Sequence, residues 1–312
     1  MPFLDSEPTD TPLNVLLSGR FDADEREVWW QALRAAAPQC RWHRDDAPFD
    51  RGLIDAAVVA NPKPAALANL PNLRLIQSLW AGVDKLLGDA TVPTQVPLAR
   101  MVDPAMNAAM AETALWAVLG LHRRFFDYAA QQARAQWRPH PQRSADEVTV
   151  LVLGAGQMGS AVTQRLTAQG YSMNAWRARD AAPLAPLLAT AEIVINLLPL
   201  TPSTRGLLDA RFFADLRPGA SFVNLARGAH VVDADLLAAL DGGRLHRAVL
   251  DVFHTEPLPA EHAFWRHPQV TVLPHAAALT DERSAAQVVA GNLRALVRGE
   301  AISHAVDRAR GY

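Results

Sequence analysis

V-T-V-L-V-L-G-A-G-Q-M-G-S-A, residues Val148–Ala161, joins a short apolar run to a cluster of glycines. Val148, Val150, Leu151, Val152 and Leu153 suit a strand buried on both faces of a parallel sheet. Gly154, Ala155, Gly156, Gln157, Met158 and Gly159 match G-x-G-x-x-G. The first glycine makes a tight turn, the second lets backbone approach a pyrophosphate, and the third lets helix pack on strand. Met158, Val162 and Leu166 keep helical spacing, and Gly170 is a natural stop. The predicted helix points its N-terminus at the phosphates. The six-residue pattern alone is weak, but a strand before it and a helix after it favour a dinucleotide site over a structural turn.

Downstream, strand and helix alternate. Strands are predicted at Ser172–Trp176, Glu192–Leu198, Ser221–Leu225, Arg247–Val252 and Val270–Leu273. Helical or turn elements fall at Thr201–Leu208, Arg211–Leu216 and Asp233–Leu240, which implies a doubly wound parallel sheet. Thr280, Asp281 and Glu282 open a final helix to about Arg298. Upstream, strands at Leu13–Leu17, Ile54–Ala60, Leu73–Leu79 and Val96–Met101, with a helix over Glu25–Ala37, make a smaller α/β unit. One long helical stretch is predicted over Met106–Gln136, with Ala111, Leu115, Val118 and Leu119 on its apolar face.

The 312 residues suffice for two domains, and a formal net charge of −2 with no basic block offers nothing to nucleic acid. Cys40 is the only cysteine, so an intramolecular disulfide and a cysteine-built zinc site are excluded. No metal is expected. The opening M-P-F-L-D-S-E-P-T-D is acidic and lacks an apolar core, so a flexible leader is expected rather than a signal peptide. No apolar segment has membrane-spanning length. A cytoplasmic protein with no membrane partner is expected.

About twenty residues past the glycines an NAD site usually carries an acid for the ribose hydroxyls. Here Arg177 stands in that place and Arg179 follows, with Asp180 behind. Guanidinium groups suit a 2′-phosphate, so NADP(H) is preferred and NAD(H) possible. Pro199 and Thr204, in L-P-L-T-P-S-T-R-G, would border the cofactor, although this segment alone reads as a proline-rich connector. Three more stretches place polar groups just past strands: Arg227 in N-L-A-R-G, Asp251 and Glu256 in L-D-V-F-H-T-E-P-L-P, and His275 in L-P-H. Singly, each has a dull reading as a surface ion pair, a turn residue or a loop histidine. Jointly, Arg227, Glu256 and His275 suit hydride transfer to a 2-oxo acid. The arginine binds the carboxylate and polarises the carbonyl, the histidine gives a proton, and an adjacent carboxylate stabilises the protonated ring.

These motifs together resemble the D-isomer-specific 2-hydroxyacid dehydrogenases over nearly the whole chain. L-W-A-G-V-D, W-R-A-R and V-D-R-A-R-G-Y are most similar to the glyoxylate/hydroxypyruvate reductase A branch. The resemblance implies two Rossmann-like or flavodoxin-like α/β domains with doubly wound parallel sheets and a cleft between them. Residues 1–105 with 284–312 would be the substrate-binding domain and 106–283 the NAD(P)-binding domain. It implies a homodimer built partly through the helix near Glu112. It gives Arg227 the substrate, His275 the proton, Glu256 the histidine and Asp251 the nicotinamide amide. Gly154, Gly156, Gln157, Met158, Gly159 and Ala226 would line the cofactor. Backbone N–H groups of Ala81, Gly82 and Val83 would hold the substrate carboxylate. The expected activity is NADPH-dependent reduction of glyoxylate and hydroxypyruvate to glycolate and D-glycerate. Alternatives are a dehydrogenase for a different 2-oxo acid and a nucleotide-sensing binding protein without turnover. Two departures from the family pattern stand out. Ala276-Ala277-Ala278 replaces a glycine-serine pair after His275, and Trp80 replaces a small residue. Trp80 would either narrow the pocket or pack on the domain surface.

Overall fold

The computed structural model describes residues 12–177 and 183–312. The expected leader and the positions of Arg179 and Asp180 lie outside the described residues. In chain order the first elements are β1 (Asn14–Gly19), α1 (Ala23–Ala36), β2 (Arg41–Arg44), β3 (Ala56–Ala60), β4 (Leu75–Ser78), α2 (Asp84–Leu87) and β5 (Leu98–Ala99). Then come α3 (Pro104–His122), α4 (Phe125–Gln132), β6 (Thr149–Leu153), α5 (Gln157–Ala168), β7 (Ser172–Trp176), α6 (Ala185–Thr190) and β8 (Ile193–Asn196). The last are α7 (Ala210–Asp215), β9 (Ala220–Asn224), α8 (Asp233–Asp241), β10 (Leu245–Leu250), β11 (Val270–Val272) and α9 (Glu282–Arg298).

Contacts divide the chain into two compact units, Met1–Ala105 with Thr280–Tyr312, and Met106–Leu279. In the first, five parallel strands are ordered β2-β1-β3-β4-β5. This is a doubly wound order whose direction reverses at β1/β3. Trp29 and Leu33 of α1 are buried, and α1 packs on α9. Asp281 caps α9 by accepting the Arg283 and Ser284 N–H groups, as the T-D-E sequence predicts. Asn292 of α9, itself buried, donates to Gln77 Oε1 at 2.7 Å and so ties the last helix to β4. The edge strand β2 was not expected, because R-W-H-R carries no apolar alternation.

The second unit holds six parallel strands in the order β11-β10-β9-β8-β6-β7. The order reverses between β6 and β8, where an open α/β sheet binds ligands at its carboxyl edge. The apolar run of β6 alternates across the sheet. Val150 and Val152 face a core that includes Ala114, Ala117 and Val118 of α3 and Val162 and Leu166 of α5. Leu151 and Leu153 face the opposite core with Leu188, Phe213, Phe222 and Leu236. Period-two geometry makes a near-continuous apolar strand the natural centre of a two-faced sheet.

The single helix expected over Met106–Gln136 is instead two helices. Arg124 interrupts it with φ +64°, a left-handed conformation. Its guanidinium is held by Asp127 at 2.8 Å and by His246 Nε2 at 2.9 Å, contacts that a continuous helix would not aim. Thr201–Leu208 forms turns, and α6 and the short turn at Gly228–His230 are additional elements.

Candidate active site

The glycine turn shows where a dinucleotide fits. Gly154 adopts φ +99°, and a Cβ there would lie 2.4 Å from Leu197 O. A Cβ on Gly159 would lie 1.9 Å from Gly154 O, so helix and strand touch backbone to backbone. Gly156, at the N-cap of α5, is different: a Cβ there would meet nothing within 4 Å. Its bareness leaves room beside the exposed N–H groups of the first helical turn, the surroundings a pyrophosphate needs. Arg177 follows β7 and donates from Nε to Ala155 O at 3.2 Å, so its guanidinium lies over the same turn.

Pro199 and Thr204 follow β8. The buried Thr204 hydroxyl donates to Pro199 O at 2.8 Å and accepts the Thr201 N–H at 2.8 Å. The loop is therefore closed on itself and offers a fixed wall.

Arg227 follows β9 and donates from Nη1 to Ala226 O at 2.7 Å. The next residue is wedged in place, because a Cβ on Gly228 would lie 2.0 Å from the carbonyl carbon of Phe253. The stretch after β10 is thereby locked beside Arg227. Phe253 N–H in turn donates to Glu256 Oε1 at 2.9 Å, and the other carboxylate oxygen, Oε2, lies 2.7 Å from His275 Nδ1. Burial acts to raise Glu256. The bonds from His275 and Phe253 and the charges of His275 and Arg227 outweigh it and hold the carboxyl below its ordinary value.

His275 follows β11 with φ +55°, a left-handed conformation uncommon for a residue with a Cβ. Asp251 holds it there. Its two carboxylate oxygens accept the Ala276 and Ala277 N–H groups at 2.7 and 3.1 Å. Asp251 is buried, which raises its carboxyl above the usual range against the lowering effect of those two bonds and of His275. The Ala276-Ala277 pair serves this clamp through backbone alone, so the missing serine leaves it intact.

Arg227, Glu256, His275, Asp251 and the glycine turn thus converge on one edge of one sheet. Among the described residues, no group of three or more His, Cys, Asp or Glu is disposed to hold a metal ion.

The sequence matches the family model "D-isomer specific 2-hydroxyacid dehydrogenase, NAD binding domain" over residues 115–277. A relative named glyoxylate/hydroxypyruvate reductase A, from Serratia proteamaculans, is 41% identical over 308 residues, 94% of this chain and 97% of the relative. The chain belongs to the D-isomer specific 2-hydroxyacid dehydrogenase family. A member from Xanthobacter autotrophicus, solved in complex with NADPH and MES, is 34% identical with a TM-score of 0.91, covering 97% of this chain and all of that one. The NADPH-dependent glyoxylate/hydroxypyruvate reductase of Sinorhizobium meliloti, solved with NADP and sulfate, is also 34% identical. Its TM-score is 0.89, and the match covers 96% of this chain and 100% of that one.

In this dehydrogenase, Ala81, Gly82 and Val83 follow β4 in the first unit. Among the described residues their backbone N–H groups meet no protein acceptor. Trp80 packs edge-on against Trp29, with ring centroids 6.1 Å apart. Gly228 as a wedge and the buried set of Asn196, Asn224 and His230 are not expected from the motifs. A signal was available: an asparagine ends each of the two strands I-V-I-N and A-S-F-V-N.

Proposed function

We propose that this chain reduces glyoxylate and hydroxypyruvate with NADPH, forming glycolate and D-glycerate. The observation that carries the reading is the His275–Glu256 pair on the edge that also bears Arg227 and the glycine turn. Because Nδ1 of His275 is bonded to Glu256, Nε2 is left to face a substrate and deliver its proton. Arg227 binds the carboxylate and draws electron density from the carbonyl oxygen. Bound NADPH supplies a hydride to C2. His275 then protonates the developing alkoxide, and the imidazolium charge it gives up had been balanced by Glu256. Gly154, Gly156, Gln157, Met158 and Gly159 hold the pyrophosphate, Arg177 the 2′-phosphate, and Pro199, Thr204, Ala226 and Asp251 border the cofactor.

On this reading, the second unit is the NAD(P)-binding domain. The first is the substrate-binding domain, which offers the Ala81, Gly82 and Val83 N–H groups to the substrate carboxylate. A homodimer accounts for the apolar side chains on α3, α4 and the following loop: Trp116, Phe125 and Trp137 are 44, 55 and 99% exposed. No helix among the described residues is long and apolar enough to cross a membrane. With its single cysteine half-buried and its thiol pushed up by burial, the chain is suited to the reducing cytoplasm.

Initial rates of NADPH and NADH oxidation with glyoxylate, hydroxypyruvate and pyruvate test this function. Fast NADPH oxidation with the first two supports it. Preference for NADH removes the role of Arg177, and no oxidation with any of the three removes the assignment.

A further inference from the structure

Beneath the candidate site, three polar side chains are buried together: Asn196 at the end of β8, Asn224 at the end of β9, and His230 in the turn after Arg227. Asn196 Nδ2 donates to Asn224 Oδ1 at 3.0 Å and lies 3.0 Å from His230 Nδ1. Asn196 Oδ1 accepts the Leu198 N–H at 3.2 Å. Asn224 Oδ1 also accepts the Ala226 N–H at 3.3 Å, and its Nδ2 donates to Arg227 O at 3.0 Å. On the far side of the ring, His230 Nε2 lies 3.3 Å from Pro199 O.

Of the two neutral tautomers of the ring, these two partners fit one. The amide nitrogen of Asn196 can only donate, so Nδ1 accepts. The carbonyl of Pro199 can only accept, so Nε2 carries the hydrogen. A neutral imidazole in this one tautomer satisfies both sides at once. Pro199 opens the loop closed by Thr204, which the proposed function sets against the cofactor. Arg227, three residues before the ring, is the proposed substrate ligand. The turn is also stitched to the segment after that loop, through Gly206 N–H to Ala229 O at 2.9 Å and Leu208 N–H to His230 O at 2.9 Å. One imidazole therefore bridges the two walls.

We propose that His230 is a positioning residue that registers the Pro199–Thr204 loop against Arg227, so that NADPH affinity and 2-oxo acid affinity both depend on it. The inference rests on the reading of those two walls given above. Two conservative variants split the ring's duties. His230→Asn keeps an acceptor at the Nδ1 place and loses the donor to Pro199. His230→Gln keeps a donor at the Nε2 place and loses the acceptor for Asn196.

The experiment is direct NADPH titration by fluorescence, with kcat and KM for glyoxylate and thermal unfolding, on the full chain and both variants. His230→Asn should weaken NADPH binding roughly 3–10-fold with KM near that of the parent, and His230→Gln should raise KM by a similar factor with NADPH binding kept. A purely structural histidine would lower the unfolding temperature and the active fraction in both variants, with Kd and KM unchanged; that result overturns the proposal. So does an identical change in both. If the parent binds NADPH but turns over no 2-oxo acid, the proposed function fails by itself. The NADPH titration of the two variants still decides whether His230 holds the Pro199 wall.

Discussion

His275 Nδ1 and Glu256 Oε2 lie 2.7 Å apart, and the same carboxylate is held through Oε1 by the Phe253 N–H. The histidine is thus oriented by a group that is itself fixed to the end of β10. Its other nitrogen is the one available for proton transfer. Replacing His275 with Ala should lower kcat for glyoxylate roughly 10²–10⁴-fold while leaving the NADPH Kd near that of the parent, as measured by fluorescence titration. Near-normal turnover would remove His275 as the acid.

Glu256 should carry a pH-dependent part of the stability. Its carboxyl sits below the ordinary carboxylate range, so it stays ionised through neutral and mildly acidic pH. In Glu256→Gln the charge that faces His275 Nδ1 is gone, and kcat for glyoxylate should fall with the NADPH Kd near that of the parent. The linkage to stability has a definite sign. The folded state binds this proton less readily than the unfolded chain, so Glu256 adds stability above the unfolded carboxylate range. That contribution disappears as pH falls through the folded value. An acid titration of unfolding free energy should therefore be shallower for the Gln variant.

Two of the motif glycines, Gly159 and Gly156, should separate by phenotype. Gly159→Ala forces a Cβ to 1.9 Å from Gly154 O and should destabilise the fold by about 1–3 kcal/mol or more in urea unfolding. Gly156→Ala meets nothing in the protein within 4 Å. It should unfold like the parent and yet lose NADPH affinity, since the added methyl occupies ligand space. Loss of stability at Gly156 with binding intact would contradict the cradle.

Much of this was legible because chemistry follows apolar strands here. Arg227, Glu256 and His275 each come after a β-branched or leucine-rich run, and such runs announce a parallel sheet and its edge. β7 was predicted at its observed bounds, Ser172–Trp176, since glycine stops the helix before it. Other features were not legible for physical reasons. The break at Arg124 depends on Asp127 and on His246, which is distant in sequence. The bonds of Asn196 and His230 also join distant segments, so the strand-end asparagines mark the place but do not name the partners. The clamp by Asp251 is made to backbone N–H groups, which are the same in every sequence.

Cofactor choice should rest on Arg177. Its Nε bond to Ala155 O positions the guanidinium over the glycine turn. Arg177→Ala should raise the NADPH Kd roughly ten-fold or more, the scale of a lost charge-assisted hydrogen bond, and change the NADH Kd little. Equal losses for both cofactors would mean that the side chain supports the turn and does not sense the 2′-phosphate.

Asp251 should act through the conformation of His275. A left-handed backbone at a residue with a Cβ costs about 1–2 kcal/mol and needs local support. The support is the carboxylate that accepts the Ala276 and Ala277 N–H groups at 2.7 and 3.1 Å. Asp251→Asn keeps one acceptor and sets an amide NH2 against the second N–H. One buried donor then goes unsatisfied, costing about 1–3 kcal/mol of stability in urea unfolding. With the loop released, His275 loses its fixed distance from Glu256, so kcat should fall toward that of Glu256→Gln. Asp251→Ala removes both acceptors and should be worse on each count. If Asp251→Asn loses only NADPH affinity, with an unchanged kcat, the carboxylate serves the cofactor amide and the clamp has no catalytic consequence.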